Sequence, residues 1–287
     1  MKARLITAFF GISLLLVVLC LFHTPVINIA LAIVLAIAAH EAANAVGCGS
    51  NRLLMLAGMV YGLLVPFAAT WLGGVPMVGL LTVLYIAVVY TICICKYPAV
   101  DAANLGLLIL LTVGTVLSLN CLALIRDNAP SMAIGLYYLV IIFSSAWVCD
   151  GGAYFVGRAF GKRKLAPLVS PKKTVEGLFG GLVSAVVVNL LLTMLFGLLH
   201  NSRILGGYSG ADFGINYPNV ALLSLVLALF GVLGDLATSA IKRRFEIKDF
   251  GRIFPGHGGV LDRFDSLLFI TPLVYLIMRY WPLLSVL

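Results

Sequence analysis

Apolar stretches of about 18–24 residues recur along the chain, each long enough to cross a hydrocarbon core of roughly 30 Å. Hydrophobic residues make up 62% of the 287 and charged residues only 10%, and residues 53–95 carry no charge at all. In lipid no water satisfies a backbone N–H or C=O, so such stretches must pair those groups internally as helices. The expected fold is therefore all-α: a polytopic integral membrane helical bundle with about nine transmembrane helices. The expected spans are 5–23, 26–46, 53–73, 77–95, 103–125, 131–150, 177–199, 218–240 and 266–286. They read as one membrane-embedded unit. Residues 1–130 supply the N-terminal helices, and 131–287 form a C-terminal region with charged loops at 151–176 and 241–265.

Charge placement supports this count independently. With the N-terminus in the cytoplasm, nine crossings put 16 of the 19 Lys and Arg on that side and leave Arg126, Arg203 and Arg279 opposite. Lys and Arg concentrate in cytoplasmic loops, so both charged loops are expected on the cytoplasmic face of the inner membrane. The net charge of +8 then follows from topology and attraction to anionic lipid. No helix, finger or strand motif for nucleic acid accompanies it.

Lys2 and Arg4 before an apolar run imitate a secretory signal, yet the run leads into CLFHTP without an A-x-A cleavage site. A retained first helix is the expectation. Cysteines 20, 48, 93, 95, 121 and 149 lie in or beside apolar spans, with no CxxC and no zinc-type Cys/His spacing. They read as small buried residues.

Acids inside such spans are costly unless they face protein, water or a cation. Glu41, Asp150 and Asp235 are the three that fall there. Glu41 forms a polar stripe with His40 and Asn44, and an interhelical hydrogen bond and a substrate contact are both open to it. Asp150 and Asp235 fall at expected cytoplasmic ends, beside the two basic loops. Thr238 and Ser239 follow Asp235 by three and four residues, on the same helical face. Their hydroxyls suit an oxygen-rich cation site of the kind Mg²⁺ prefers.

Ser239 to Asp265, SAIKRRFEIKDFGRIFPGHGGVLDRFD, gathers six cations and four acids around a PGHGG turn. Asp262 can return toward the same helix end as Asp235, and two carboxylates can hold one or two cations near a polyphosphate. Gly256, Gly258 and Gly259 around His257 allow close backbone approach, with N–H groups suited to oxygen anions. Lys242, Arg243, Lys248 and Arg263 add positive charge. In the other loop Ser170, Pro171, Lys172, Lys173 and Thr174 precede a helix that Thr174 can cap, with its N-terminus and Lys172 facing phosphate. Neither a Walker A loop nor GxGxxG is present. Together the two loops describe a site for a highly anionic substrate at the inner leaflet.

These residues resemble the phosphatidate cytidylyltransferase family, the CDP-diglyceride synthetases. The family's C-terminal signature S-x-φ-K-R-x4-K-D-x-G-x2-φ-P-x-H-G-G-φ-x-D-R-φ-D, with φ apolar, is matched from Ser239 to Asp265. The D-x-G-A-Y…G-K…S-P-x-K-T-x-x-G block is matched from Asp150 to Gly177. The chain departs from the family at Thr238, where Glu often stands, which leaves the number of cations open.

The resemblance implies an Mg²⁺-dependent nucleotidyltransferase joining CTP and phosphatidate into CDP-diacylglycerol and pyrophosphate, a step of phospholipid biosynthesis. It implies Asp235 and Asp262 as metal ligands, with room for a second cation. Lys242, Arg263 and Lys173 are implied at phosphates, His257 in orientation or proton transfer, and Asp150 at metal or nucleotide. Ser170, Lys172, Thr174, Ser239, Arg243, Lys248, Gly258 and Gly259 complete the substrate-binding set. A homodimer is permitted by glycine-rich helix faces but not required. A CTP-dependent lipid kinase and an anion or lipid transporter are the alternatives. The full signature argues against the first, and the lack of clear internal symmetry against the second.

Overall fold

The computed structural model describes residues 13, 17–97, 101–201, 213–253, 258–281 and 283–286. Nearly all are helical. In chain order the elements are α1 (Val26–Ala45), α2 (Arg52–Trp71), α3 (Val75–Cys95), α4 (Ala102–Asn128), α5 (Met132–Phe160), the strands β1 (Lys164–Ala166) and β2 (Ser170–Thr174), and α6 (Val175–Asn201). Then come β3 (Phe213–Ile215), α7 (Tyr217–Arg244), α8 (Leu261–Phe264), α9 (Leu267–Tyr280) and β4 (Leu284–Val286). The fold is all-α and polytopic. Among the described residues seven helices, α1 to α7, are long and apolar enough to cross a membrane.

Of the nine expected spans, 5–23 lies mostly outside the described residues. Residues 266–286 give the 14-residue α9 and then the short strand β4. The chain leaves helical geometry at Trp281, because a residue preceding proline is pushed out of the α region. Two helices instead outrun their spans: α5 continues through Asp150 to Phe160 and α7 to Arg244. The residue run GGAYFVGRAF has no proline to stop α5, and Gly152 and Gly157 are packing positions on that helix. Parts of both expected loops are therefore helical, and 164–174 is a strand pair.

The chain divides into two compact units. Unit 1 comprises Met1–Leu124 with Ile241–Phe264, and unit 2 comprises Ile125–Ala240 with Asp265–Leu287. In unit 1, α1 and α2 pack closely because Gly62 has no side chain: a Cβ there would come within 2.8 Å of the Leu35 carbonyl carbon. Fully buried Asn28 donates to Pro66 O at 2.7 Å and to Thr70 Oγ1 at 2.8 Å, so its amide is paired within the bundle. Tyr61 stacks on Tyr85 with ring centroids 4.7 Å apart and joins α2 to α3 through Thr82 Oγ1 at 2.8 Å. Gly73 and Gly74 turn the chain into α3 with φ of +128° and +68°. The outer side of α3 leaves Leu80, Val83, Leu84 and Ile94 half or more exposed, as expected of a surface bathed in lipid tails.

In unit 2, α5 and α6 meet along glycines. A Cβ on Gly181 would fall 2.6 Å from Cys149 O, and one on Gly177 would fall 2.7 Å from Ala153 O. Cys149, Leu182, Ala185, Ala228 and Val232 form the apolar core where α5, α6 and α7 converge. Buried Asn189 on α6 donates to Ser145 Oγ on α5 at 2.8 Å and to Ser224 Oγ on α7 at 3.0 Å, linking three helices by direct polar contacts. β1 and β2 pair antiparallel, Lys164 with Thr174 and Ala166 with Ser170. β3 pairs antiparallel with β4.

The glycine seam is sensitive to a single methyl group. Gly181→Ala is expected to destabilise the purified protein by about 1–3 kcal/mol through overpacking, read as a lowered unfolding midpoint in detergent. Gly151→Ala, where a Cβ meets nothing within 4 Å, is expected to leave that midpoint unchanged.

Candidate active site

The sequence-selected residues fall into two clusters, one in each unit. In unit 2, Lys173 on β2 and Asp235 on α7 form an ion pair between Nζ and Oδ2. Their side chains are 23% and 22% exposed, with the exposed part of Lys173 its stem and the ammonium itself buried against Asp235. Ser239, one turn after Asp235, donates its hydroxyl to Asp235 Oδ1 at 3.3 Å. Thr238 does not join them. Its buried hydroxyl donates back along the helix to Gly234 O at 3.1 Å and Asp235 O at 3.0 Å. The oxygen set on this helix is thus Asp235 with Ser239.

Lys173 owes its direction to the local fold. Thr174 caps α6, its Oγ1 accepting from Gly177 N at 3.1 Å. Three glycines enclose that hydroxyl: Cβ atoms on Gly157, Gly161 and Gly177 would lie 2.8, 2.8 and 2.9 Å from Oγ1. Glu176 closes the turn after α5, accepting from Lys162 N at 3.0 Å and Arg163 N at 3.2 Å. Lys172 and Lys173 point differently as a strand demands, with Lys172 exposed and Lys173 drawn in toward Asp235. Ser170 opens β2, half-buried, and Asp150 sits exposed on α5.

In unit 1 the centre is Asp262, on the single turn α8 and with a side chain only 4% exposed. Its Oδ1 accepts from Lys242 Nζ at 2.8 Å. Its Oδ2 accepts from Phe250 N at 2.8 Å and Gly259 N at 3.0 Å. Lys242 Nζ also lies 5.3 Å from the Phe250 ring centroid, close enough for cation–π attraction. Gly258 adopts φ +84°, and a Cβ there would meet Asp262 Oδ2 at 2.9 Å. Glycine is required on both counts.

Glu41, which the sequence left open, belongs to this cluster. It is 2% exposed, and its Oε1 and Oε2 accept from Val260 N at 3.0 Å and Leu261 N at 2.9 Å. Gly251 and Gly259 press against its carboxylate where any Cβ would collide. Two buried carboxylates therefore take the N–H groups of Gly259, Val260 and Leu261, and that stretch of the glycine turn is held by protein acids. The only sequence hint was an acid inside a span.

Arg263, Arg243 and Lys248 are exposed cations flanking this loop. His257 lies outside the described residues. Among the described residues no three His, Cys, Asp or Glu cluster as a metal site. The donor types at Asp235 nevertheless fit Mg²⁺, which uses one or two carboxylates and otherwise keeps water and substrate phosphate oxygens. Asp262 fits less well, since one oxygen faces an ammonium and the other two N–H groups.

Comparison with known proteins gives a family match along the chain. A family model described as "Cytidylyltransferase family" matches residues 2–281. A phosphatidate cytidylyltransferase of Bacillus subtilis (strain 168) is 46% identical over 144 residues, 50% of this chain and 48% of the relative. Proteins of the same name from Staphylococcus saprophyticus and Staphylococcus haemolyticus are 44% and 42% identical over 144 residues, in each case 50% of both chains. The chain thus matches about half the length of these curated relatives.

The Lys242–Asp262 pair predicts an asymmetric mutational response. Asp262→Ala strands a buried ammonium and is expected to cost about 3–5 kcal/mol. The double change Lys242→Met with Asp262→Leu removes the stranded charge but leaves Phe250 N and Gly259 N without an acceptor, so it is expected to recover only part of that stability. Unfolding midpoints of the two variants in one detergent provide the comparison.

Proposed function

The chain belongs to the cytidylyltransferase family, and on that basis we propose that it is a CTP:phosphatidate cytidylyltransferase of the cytoplasmic membrane. The observation that carries this reading is the Lys173–Asp235 ion pair. It joins the SPKKT block to the helix that leads into the C-terminal signature, so residues far apart in sequence meet at one place.

The reaction suits what these residues do. One phosphate oxygen of phosphatidate attacks the α-phosphorus of CTP. The new P–O bond forms as the bridging bond to the β-phosphorus breaks, and CDP-diacylglycerol and pyrophosphate result. A phosphate monoester with a second pKa near about 6 is already anionic at neutral pH, so no strong base is needed. The requirement is to hold two polyanions together and meet charge as pyrophosphate departs.

Lys173 supplies a positive charge that a phosphate can draw from Asp235. Asp235 and Ser239 supply the hard oxygens that would hold Mg²⁺, whose chemistry is to neutralise the triphosphate and polarise its phosphoryl oxygens. Lys172 in unit 2, and Arg243, Lys248 and Arg263 in unit 1, are exposed cations of the kind that attract anionic substrates, as the resemblance implies for each. Asp262 holds Lys242 and the glycine turn in place, and enters a cation's shell only by giving up one of those donors. Asp150 and His257 keep the roles that the resemblance implies.

Membrane placement follows from the substrates. The N-terminus and both basic segments lie on the cytoplasmic side, as the Lys and Arg distribution favours. CTP then arrives from water while the diacyl tails stay in lipid.

The test uses purified full-length protein in mixed micelles of detergent and phosphatidate, with α-labelled CTP and a Mg²⁺ titration. Label in CDP-diacylglycerol, matched by pyrophosphate and abolished by chelation, is the expected result. Asp235→Asn is expected to lower turnover by about 100-fold or more with little loss of folding. Phosphorylated lipid with CDP as co-product would replace the proposal with a lipid kinase, and full turnover by Asp235→Asn would remove that residue from its place.

A further inference from the structure

A cleft of about 460 Å³ opens in unit 1, within the range of small-molecule sites. It forms where the C-terminal ends of α1 and α3 meet the N-terminal ends of α2 and α4. Its lining combines Arg52, Lys96 and Asp101 with Asn104 and the leucines 53 and 54. None of these takes part in the cytidylyl transfer proposed above.

Three observations define what the cleft can hold. Neither Arg52 nor Lys96 forms an ion pair among the described residues, so two unpaired cations line the cavity against one carboxylate, Asp101, which leaves a net positive lining. The lone carboxylate, Asp101, is directed to its own helix, accepting from Ala103 N at 3.2 Å. The leading N–H groups of α2 are likewise taken, with Asn51 Oδ1 accepting from Leu53 N at 3.1 Å and Leu54 N at 3.4 Å. Recognition therefore falls to the two cationic side chains. The third observation is position. Residues 53–95 carry no charge, so Arg52 and Lys96 mark the edge of the hydrocarbon layer, while Leu53 beside them is 54% exposed.

A wall of two cations next to an exposed leucine, at the depth where headgroups lie, matches a ligand with an anionic end and an apolar body. We infer that this cleft binds a phosphate group between Arg52 and Lys96. It is a second phosphate site, separate in sequence from the Lys173 and Lys242 clusters. The phosphate can come from an anionic phospholipid headgroup or from free inorganic phosphate, and charge-assisted donors serve both.

The experiment is native mass spectrometry of the full-length protein released from phosphatidylglycerol or phosphatidylcholine nanodiscs, and it needs no turnover. Wild-type protein is expected to retain one more phosphatidylglycerol per chain than Arg52→Gln/Lys96→Gln, with affinity falling about tenfold or more in the variant. The charge-keeping swap Arg52→Lys/Lys96→Arg is expected to retain that lipid. If the double glutamine variant does not fold, Lys96→Gln alone, at an exposed helix end, takes its place. Added inorganic phosphate separates the sources. A phosphate adduct lost in the glutamine variant, with no lipid retained, assigns the site to the free anion. Equal lipid and phosphate retention by wild type and the glutamine variant overturns the inference, whatever the outcome of the activity assay.

Discussion

A carboxylate or ammonium withdrawn from water must find partners within the protein, and in a chain with so few charges each such pairing organises its surroundings. Glu41 and Asp262 show how. Between them they accept four backbone N–H groups and the Lys242 ammonium. The loop they hold would otherwise present unpaired amides at the edge of a membrane bundle, each costly to bury. Its glycines can come close only because those acids occupy the space that side chains would need. The neutral counterpart in unit 2 is Asn189, which ties three helices through two serines.

Much of this was legible before any coordinates. Apolar length alone announces a membrane bundle, since only helices and closed barrels satisfy a backbone in lipid. The capping role of Thr174 was readable from a hydroxyl placed just before a helix and three residues ahead of Gly177. The ends were less legible. Hydropathy falls where Asp150 and Arg158 appear, yet α5 continues because its backbone bonds do not depend on side-chain polarity. Conversely, α9 stops well short of its apolar run because of a proline that hydropathy ignores.

At the candidate site, residue types were readable and partners were not. Nothing in the local sequence says that Thr238 bonds its own helix whereas Ser239 bonds Asp235, because one position of helical rotation separates the two. Nor can spacing reveal that Glu41 clasps a loop more than 200 residues later. Long-range pairing of this kind is decided by which backbone donors a fold leaves over.

The glycine-ringed Thr174 has a consequence for the residue before it. Lysine is a poor fixed ligand because its long stem carries roughly 2 kcal/mol of rotamer entropy, and a mobile backbone would add to that loss. Here strand pairing on one side and a hydroxyl lodged among three glycines on the other hold the root of Lys173 still. In the reaction proposed above, only the stem's own torsions would remain to be quenched as the ammonium turned from Asp235 to an arriving anion. Such an exchange of partners would be a pivot about a fixed point, with little backbone rearrangement.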